Sequence, residues 1–95
     1  ITSRRIPDRT GRKASILATI GPSERAGVVL SAHTDVVPVA GQDWTSPPFT
    51  ATARDSRIIG RGATDMKGFI ASVLAHVPHF KAAATATPVH IALSY

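Results

Sequence analysis

The sequence predicts an α/β domain with a mixed, mostly parallel sheet and flanking helices. Three features predict it. Residues 28–32 (Val-Val-Leu-Ser-Ala) form a nearly continuous apolar run, the mark of a strand covered on both faces. Met66, Phe69, Ile70, Val73, Leu74 and Val77 recur at helical spacing. Val89, Ile91 and Leu93 then alternate with His90, Ala92 and Ser94, the period of a strand. Strand, helix and strand in that order suit a layered domain rather than a bundle or a sandwich.

The elements follow in order. The first fourteen residues hold Arg4, Arg5, Arg9, Arg12 and Lys13 against Asp8 alone, and Pro7 and Gly11 punctuate them. They read as a basic, solvated or disordered lead-in of loop character. Residues 15–20 read as a strand stopped by Gly21-Pro22, and residues 23–27 as a polar turn. After the apolar run, Pro38, Gly41, Pro47 and Pro48 make the chain irregular. Residues 50–53 and 58–59 suggest a hairpin turning at Asp55-Ser56. The helical stripe from Met66 is expected to form core, and Pro78 to end or kink the helix. A small Ala/Thr tract occupies residues 82–87. The last strand reaches Tyr95 without a turn or polar tail, so residues 15–95 are expected to be the N-terminal part of a larger domain.

Composition narrows the function classes. In 95 residues, 43% hydrophobic and 18% charged is a globular balance, with a thin core expected at this size. Without cysteine, disulfides, thiolate metal sites and thiol nucleophiles are excluded. No apolar run approaches the ~18 residues of a membrane span, and no secretory leader pattern opens the chain. The net charge of +5 raises a nucleic-acid partner. Its excess sits in the lead-in, which lacks stacking aromatics or a readable helix, so a small basic nucleic-acid-binding module is kept as the alternative from another class.

Two segments carry chemistry. In Ser31-Ala32-His33-Thr34-Asp35, residues i and i+2 of an extended chain share a side. The Asp35 carboxylate can therefore accept from one nitrogen of His33 and leave the other aimed outward as a metal ligand. Alone, His-x-Asp reads first as a solvated pair after a strand. The second segment is Gly60-Arg61-Gly62-Ala63-Thr64-Asp65-Met66-Lys67-Gly68. A dinucleotide fingerprint would need glycine in place of Asp65, and a Walker loop would need Ser or Thr after Lys67, so neither applies. Asp65 is open equally to a role as helix N-cap and as ligand.

Together with Gly41-Gln42-Asp43-Trp44-Thr45-Ser46-Pro47-Pro48-Phe49, the two segments resemble the M20 family of zinc-dependent aminoacylases and peptidases in order and spacing over roughly residues 15–95. The resemblance implies a partial zinc-peptidase-like catalytic domain. It implies that His33 is a terminal ligand to one of two zinc ions and that Asp35 orients it and counts as catalytic. It implies that Asp65 bridges both ions and is followed by a cis peptide bond. The implied cofactors are two Zn2+, with Co2+ an alternative, and the implied substrate is a small N-acyl amino acid, N2-acetyl-ornithine first and a succinylated diamine second. A cytoplasmic homodimer, paired through a domain beyond this chain and acting without nucleic acid or membrane, is implied as well. The family's remaining metal ligands and its general base follow the last strand, so these 95 residues alone are expected neither to hold metal tightly nor to hydrolyse substrate. His76, His79 and His90 are expected to stay outside the site. Lys67 is expected to be exposed, Arg61 to be a loop residue within approach of substrate, and Trp44, Pro47, Pro48 and Phe49 to pack a loop near the site.

Overall fold

A computed structural model describes residues 1–83 and 86–95. Its elements are β1 (Thr2–Pro7), β2 (Ala14–Ile20), β3 (Val28–His33), β4 (Thr52–Arg54), β5 (Arg57–Ile59), an irregular turn (Ala63–Lys67), α1 (Gly68–Ala82) and β6 (Val89–Ser94). Four strands form one mixed sheet in the order β1-β2-β6-β3, and β4 and β5 form a separate hairpin. Only the β3–β6 pairing is parallel; β1–β2 and β2–β6 are antiparallel. The mixed sheet agrees with the sequence, while its parallel share is smaller than expected. Connection length explains this: α1 provides the crossover that a parallel β3–β6 pair requires, whereas the tight turn after β1 forces an antiparallel return.

That turn corrects the loop assigned to the basic lead-in. β1 pairs with β2 in register from Thr2↔Thr19 to Pro7↔Ala14. Asp8 organises the turn. Its carboxylate accepts from the Thr10 hydroxyl at 2.7 Å and from the Lys13 N–H at 3.2 Å, and the Thr10 hydroxyl chiefly holds the acid below its ordinary pKa. All six β1 residues are exposed, so no apolar alternation marks the strand in the sequence. A charged edge strand bounded by proline also discourages pairing with another chain.

β6 lies between β2 and β3, although β2 and β3 are adjacent in sequence. The insertion is tight where it begins. A Cβ on Gly27 would stand 2.2 Å from the Pro88 carbonyl oxygen, and the next residue, Val28, donates its N–H to that oxygen at 3.0 Å. Only glycine fits there.

The core is thin and one-sided. Ile20, Val73 and Ile91 are buried together, with Ala18, Leu30, Val77, Phe80, Val89 and Leu93 packed around them. The helical stripe is therefore core only in part. Val73 and Val77 face the sheet, whereas Phe69 and Leu74 are exposed. Val28 and Val29 are exposed too, because among the described residues α1 is the helix packed on this sheet and it covers one face. Pro78 does not end the helix, which runs on to Ala82. It stands at an exposed position, where water can serve the backbone groups that its ring leaves unpaired. The Ala/Thr tract lies partly outside the described residues. Among the described residues, no helix is long and apolar enough to cross a membrane.

The β4–β5 hairpin turns where expected. Asp55 and Ser56 have φ of 50° and 58°, both left-handed, as a two-residue turn between twisted strands requires.

Candidate active site

The site lies at the C-terminal ends of the parallel pair β3 and β6, where open α/β sheets place their ligands. His33 is the last residue of β3, opposite Ser94. Thr34 extends the pairing by one step, donating its N–H to the Ser94 carbonyl at 2.7 Å and its hydroxyl to the same oxygen at 2.9 Å. The chain then leaves the sheet, and the base of His33 is fixed by the ladder beneath it.

Both ring nitrogens of His33 meet oxygen. Nδ1 lies 3.1 Å from the Asp35 backbone carbonyl and 3.5 Å from its carboxylate, so the carbonyl is the nearer acceptor and the carboxylate supports it. This differs in detail from the carboxylate contact read from the sequence. On the other side, Nε2 lies 3.1 Å from Asp65 Oδ1. With Nδ1 donating to the carbonyl, a neutral ring presents a lone pair at Nε2, facing another acceptor. Such an arrangement calls for a cation, either a proton on the ring or a metal held by both atoms. Accordingly the His33 pKa is raised, first by the hydrogen bond to the Asp35 carbonyl and next by that to the Asp65 carboxylate.

Asp65 reaches this position because it does not cap the helix. It and Met66 have non-helical backbone angles, the peptide between them is cis, and α1 begins at Gly68 without a side-chain cap. The turn is clamped to the loop after β3 at two points. Lys67 donates from Nζ to the Thr34 carbonyl, so it is a tether rather than a purely solvated side chain. Gly62 has a left-handed φ of 80°, and a Cβ there would stand 2.6 Å from Val36 Cγ1. Lys67 also donates its backbone N–H to the Gly62 carbonyl at 2.8 Å.

His33, Asp35, Val36, Trp44, Arg61 and Asp65 line a cleft of about 310 Å³. The Arg61 guanidinium lies 5.1 Å from the centre of the Trp44 ring and donates to Gln42 Oε1. This packing of residues 42–44 against the Gly60 loop joins segments that the sequence left separate. The other histidines stay away: His76 donates from Nδ1 to the Ser72 carbonyl at 2.8 Å, and His90 pairs with the Thr19 hydroxyl at 2.9 Å.

The donor set suits a metal as far as it goes. Two ligands about 2.0–2.2 Å from a tetrahedral ion stand roughly 3.3–3.6 Å apart, near the 3.1 Å separating His33 Nε2 from Asp65 Oδ1. Nitrogen with carboxylate oxygen is a donor pair zinc accepts. A catalytic zinc takes three protein ligands, and among the described residues no three His, Cys, Asp or Glu side chains are placed to hold one metal ion. Among the described residues, His33 and Asp65 are one nitrogen and one carboxylate donor at this separation.

Residues 29–95 match the model of peptidase family M20/M25/M40. The chain is 40% identical over 90 residues to acetylornithine deacetylase of Yersinia pestis, covering 90% of this chain and 23% of that protein. It is 42% identical over 92 residues to succinyl-diaminopimelate desuccinylase of Acidovorax ebreus (strain TPSY), covering 96% and 22%. It thus spans less than a quarter of the length of these relatives. Among solved structures, human carnosine dipeptidase 1 superposes with a TM-score of 0.72 at 26% identity over 97% of this chain and 22% of that one. An M20 family metallo-carboxypeptidase from Sulfolobus solfataricus superposes with a TM-score of 0.80 at 24% identity over 99% and 22%, a likeness of fold. With most of its length matched by the family model, this chain belongs to peptidase family M20/M25/M40.

Proposed function

We propose that the chain is the N-terminal part of the catalytic domain of a metal-dependent amidohydrolase that cleaves the amide of an N-acyl amino acid. The approach of His33 Nε2 to Asp65 Oδ1 is the observation that carries this proposal. His33 and Asp65 would hold the metal, with Asp65 bridging two ions and Asp35 fixing the orientation of the imidazole. When bound, zinc lowers the pKa of a coordinated water toward ~7 and polarises the amide carbonyl. The protein's own contribution is positional. The hydrogen bond from Nδ1 to the Asp35 carbonyl keeps Nε2 aimed at Asp65, and the Lys67–Thr34 tether holds the two loops together.

The preferred substrate is N2-acetyl-ornithine, giving ornithine and acetate in arginine biosynthesis. The support is the relatives that carry the acetylornithine deacetylase name. A succinylated diaminopimelate is the second reading, favoured by the 42% identity to the desuccinylase. Two zinc ions, with cobalt a substitute, a homodimer paired through a domain beyond this chain and a cytoplasmic setting complete the proposal. The full-length enzyme, stripped with a chelator and reloaded with Zn2+, is expected to hydrolyse N2-acetyl-ornithine faster than N-succinyl-diaminopimelate. The reverse preference would move the substrate to the second reading. Failure to cleave any N-acyl amino acid after reloading would overturn the amidohydrolase.

A further inference from the structure

The β1–β2 hairpin gathers positive charge away from the cleft. Arg4 and Arg5 lie in β1, and Arg9, Arg12 and Lys13 in the turn after it. Five of the chain's eleven Lys and Arg side chains thus fall in its first thirteen residues, against one of its six acids. All five are exposed. The acid, Asp8, pairs with none of them, because its carboxylate oxygens accept from the Thr10 hydroxyl and the Lys13 N–H within the turn. Among the described residues, no ion pair includes any of the five. The Lys13 ammonium lies 5.1 Å from the centre of the Tyr95 ring, a neutral face. Like charges crowded on one element repel, so folding alone gives no reason for the cluster.

β1 is also an open edge. It pairs with β2 on one side, and the sheet ends there. Alternate residues of an edge strand direct their N–H and C=O groups outward, unpaired. Arg4 stands opposite Leu17 and Arg5 opposite Ile16, so the two guanidiniums extend over opposite faces of the sheet. This arrangement selects among anions. A nucleic-acid backbone lying along the strand faces one side of it, and β1 has no aromatic ring on which a base could stack. A peptide strand added to the edge places its own side chains alternately on both faces, level with Arg4 and Arg5. Opposite charges so placed favour the pairing of two strands. Like charges oppose it, so a second copy of β1 is turned away.

We propose that the outer edge of β1 is a docking site for an acidic, extended segment of a protein partner, which adds a strand to the sheet and meets Arg4 and Arg5 with carboxylates. Arg9, Arg12 and Lys13 extend the positive field around the turn and speed the encounter. β3, which carries His33, forms the opposite edge of the sheet, so docking at β1 stands apart from the proposed hydrolysis.

The full-length protein is titrated with a fluorescent, end-capped Glu-Val-Glu-Glu-Val-Glu peptide and with its Gln-Val-Gln-Gln-Val-Gln counterpart. The acidic peptide is expected to bind about tenfold more tightly at ~0.05 M salt, the combined effect of several exposed ion pairs, and to lose that preference at ~0.5 M. Bound peptide is expected to slow hydrogen exchange at the β1 amides. The double variant Arg4→Gln, Arg5→Gln, with its fold checked by circular dichroism, is expected to bind the two peptides equally. Equal binding of both peptides by the unaltered protein would overturn the inference without recourse to a variant. So would binding that leaves exchange at β1 unchanged, or an undiminished preference in the folded double variant. Tighter binding of an oligothymidylate of equal charge would overturn it in favour of a nucleic acid. Because the titration reads no hydrolysis, its failure leaves the amidohydrolase proposal standing, and an inactive enzyme leaves the docking edge standing.

Discussion

His33 Nε2 and Asp65 Oδ1 stand 3.1 Å apart across thirty-two residues of sequence, one at the end of β3 and the other in the turn before α1. Neither side chain is buried: 39% of the His33 side chain and 83% of that of Asp65 remain accessible. The pair therefore contributes little to holding the fold together. Its arrangement has consequences for ligation, titration and backbone conformation.

If the pair holds metal, its two members are not equal to their supporting residue. In the full-length enzyme, His33→Ala and Asp65→Asn are each expected to lower zinc affinity and hydrolysis more than ~100-fold. Asp35→Asn, which touches the ring rather than the ion, should cost about 10–100-fold. Zinc competition titration and steady-state kinetics measure both quantities, and equal losses in all three variants would contradict the assigned roles.

Titration of His33 in the metal-free chain reports the same contact. Its pKa lies above the ordinary 6.5, through the Asp35 carbonyl first and the Asp65 carboxylate second. A raised folded-state value means that the protonated ring favours the folded state. That contribution is complete below the unfolded value and disappears as pH rises through the folded one. NMR titration should show the His33 midpoint falling in Asp65→Asn. Metal and proton compete for Nε2, so zinc affinity should rise as pH climbs through the same window.

Gly62→Ala tests the loop rather than the ligands. A left-handed φ of 80° costs an L-residue about 1–2 kcal/mol, and the new methyl would meet Val36 Cγ1. Chemical denaturation should show a loss of at least that size. Zinc affinity in the full-length enzyme should fall as well, because Gly62 accepts the Lys67 N–H beside Asp65.

Ile91→Ala tests the core. Ile91 is 4% exposed at the centre of β6, paired with Ala18 on one side and Leu30 on the other. Removing its side chain should cost about 2–5 kcal/mol, comparable to the whole stability of a domain with so thin a core. Loss of cooperative thermal unfolding monitored by circular dichroism is the expected result.

Much of this molecule is legible one short window at a time. The β2, β3 and β6 strands, the turn at Asp55-Ser56 and the body of α1 follow from period and turn chemistry, which act over a few residues. The nearness of His33 and Asp35 follows from their spacing of two, but β3 ends at His33, and the Asp35 carbonyl rather than its carboxylate is the nearer partner of the ring. Tertiary structure decided what depends on distant partners. β1 is a strand only because β2 pairs with it, and its exposed, charged residues give no pattern of their own. Phe69 and Leu74 keep helical spacing yet stay exposed, because burial depends on what packs opposite. Asp65 is left open by its sequence between cap and ligand. The non-helical turn before Gly68 and the tether from Lys67 to Thr34 turn it toward His33, since a side chain's partners are set by where the whole chain brings its neighbours.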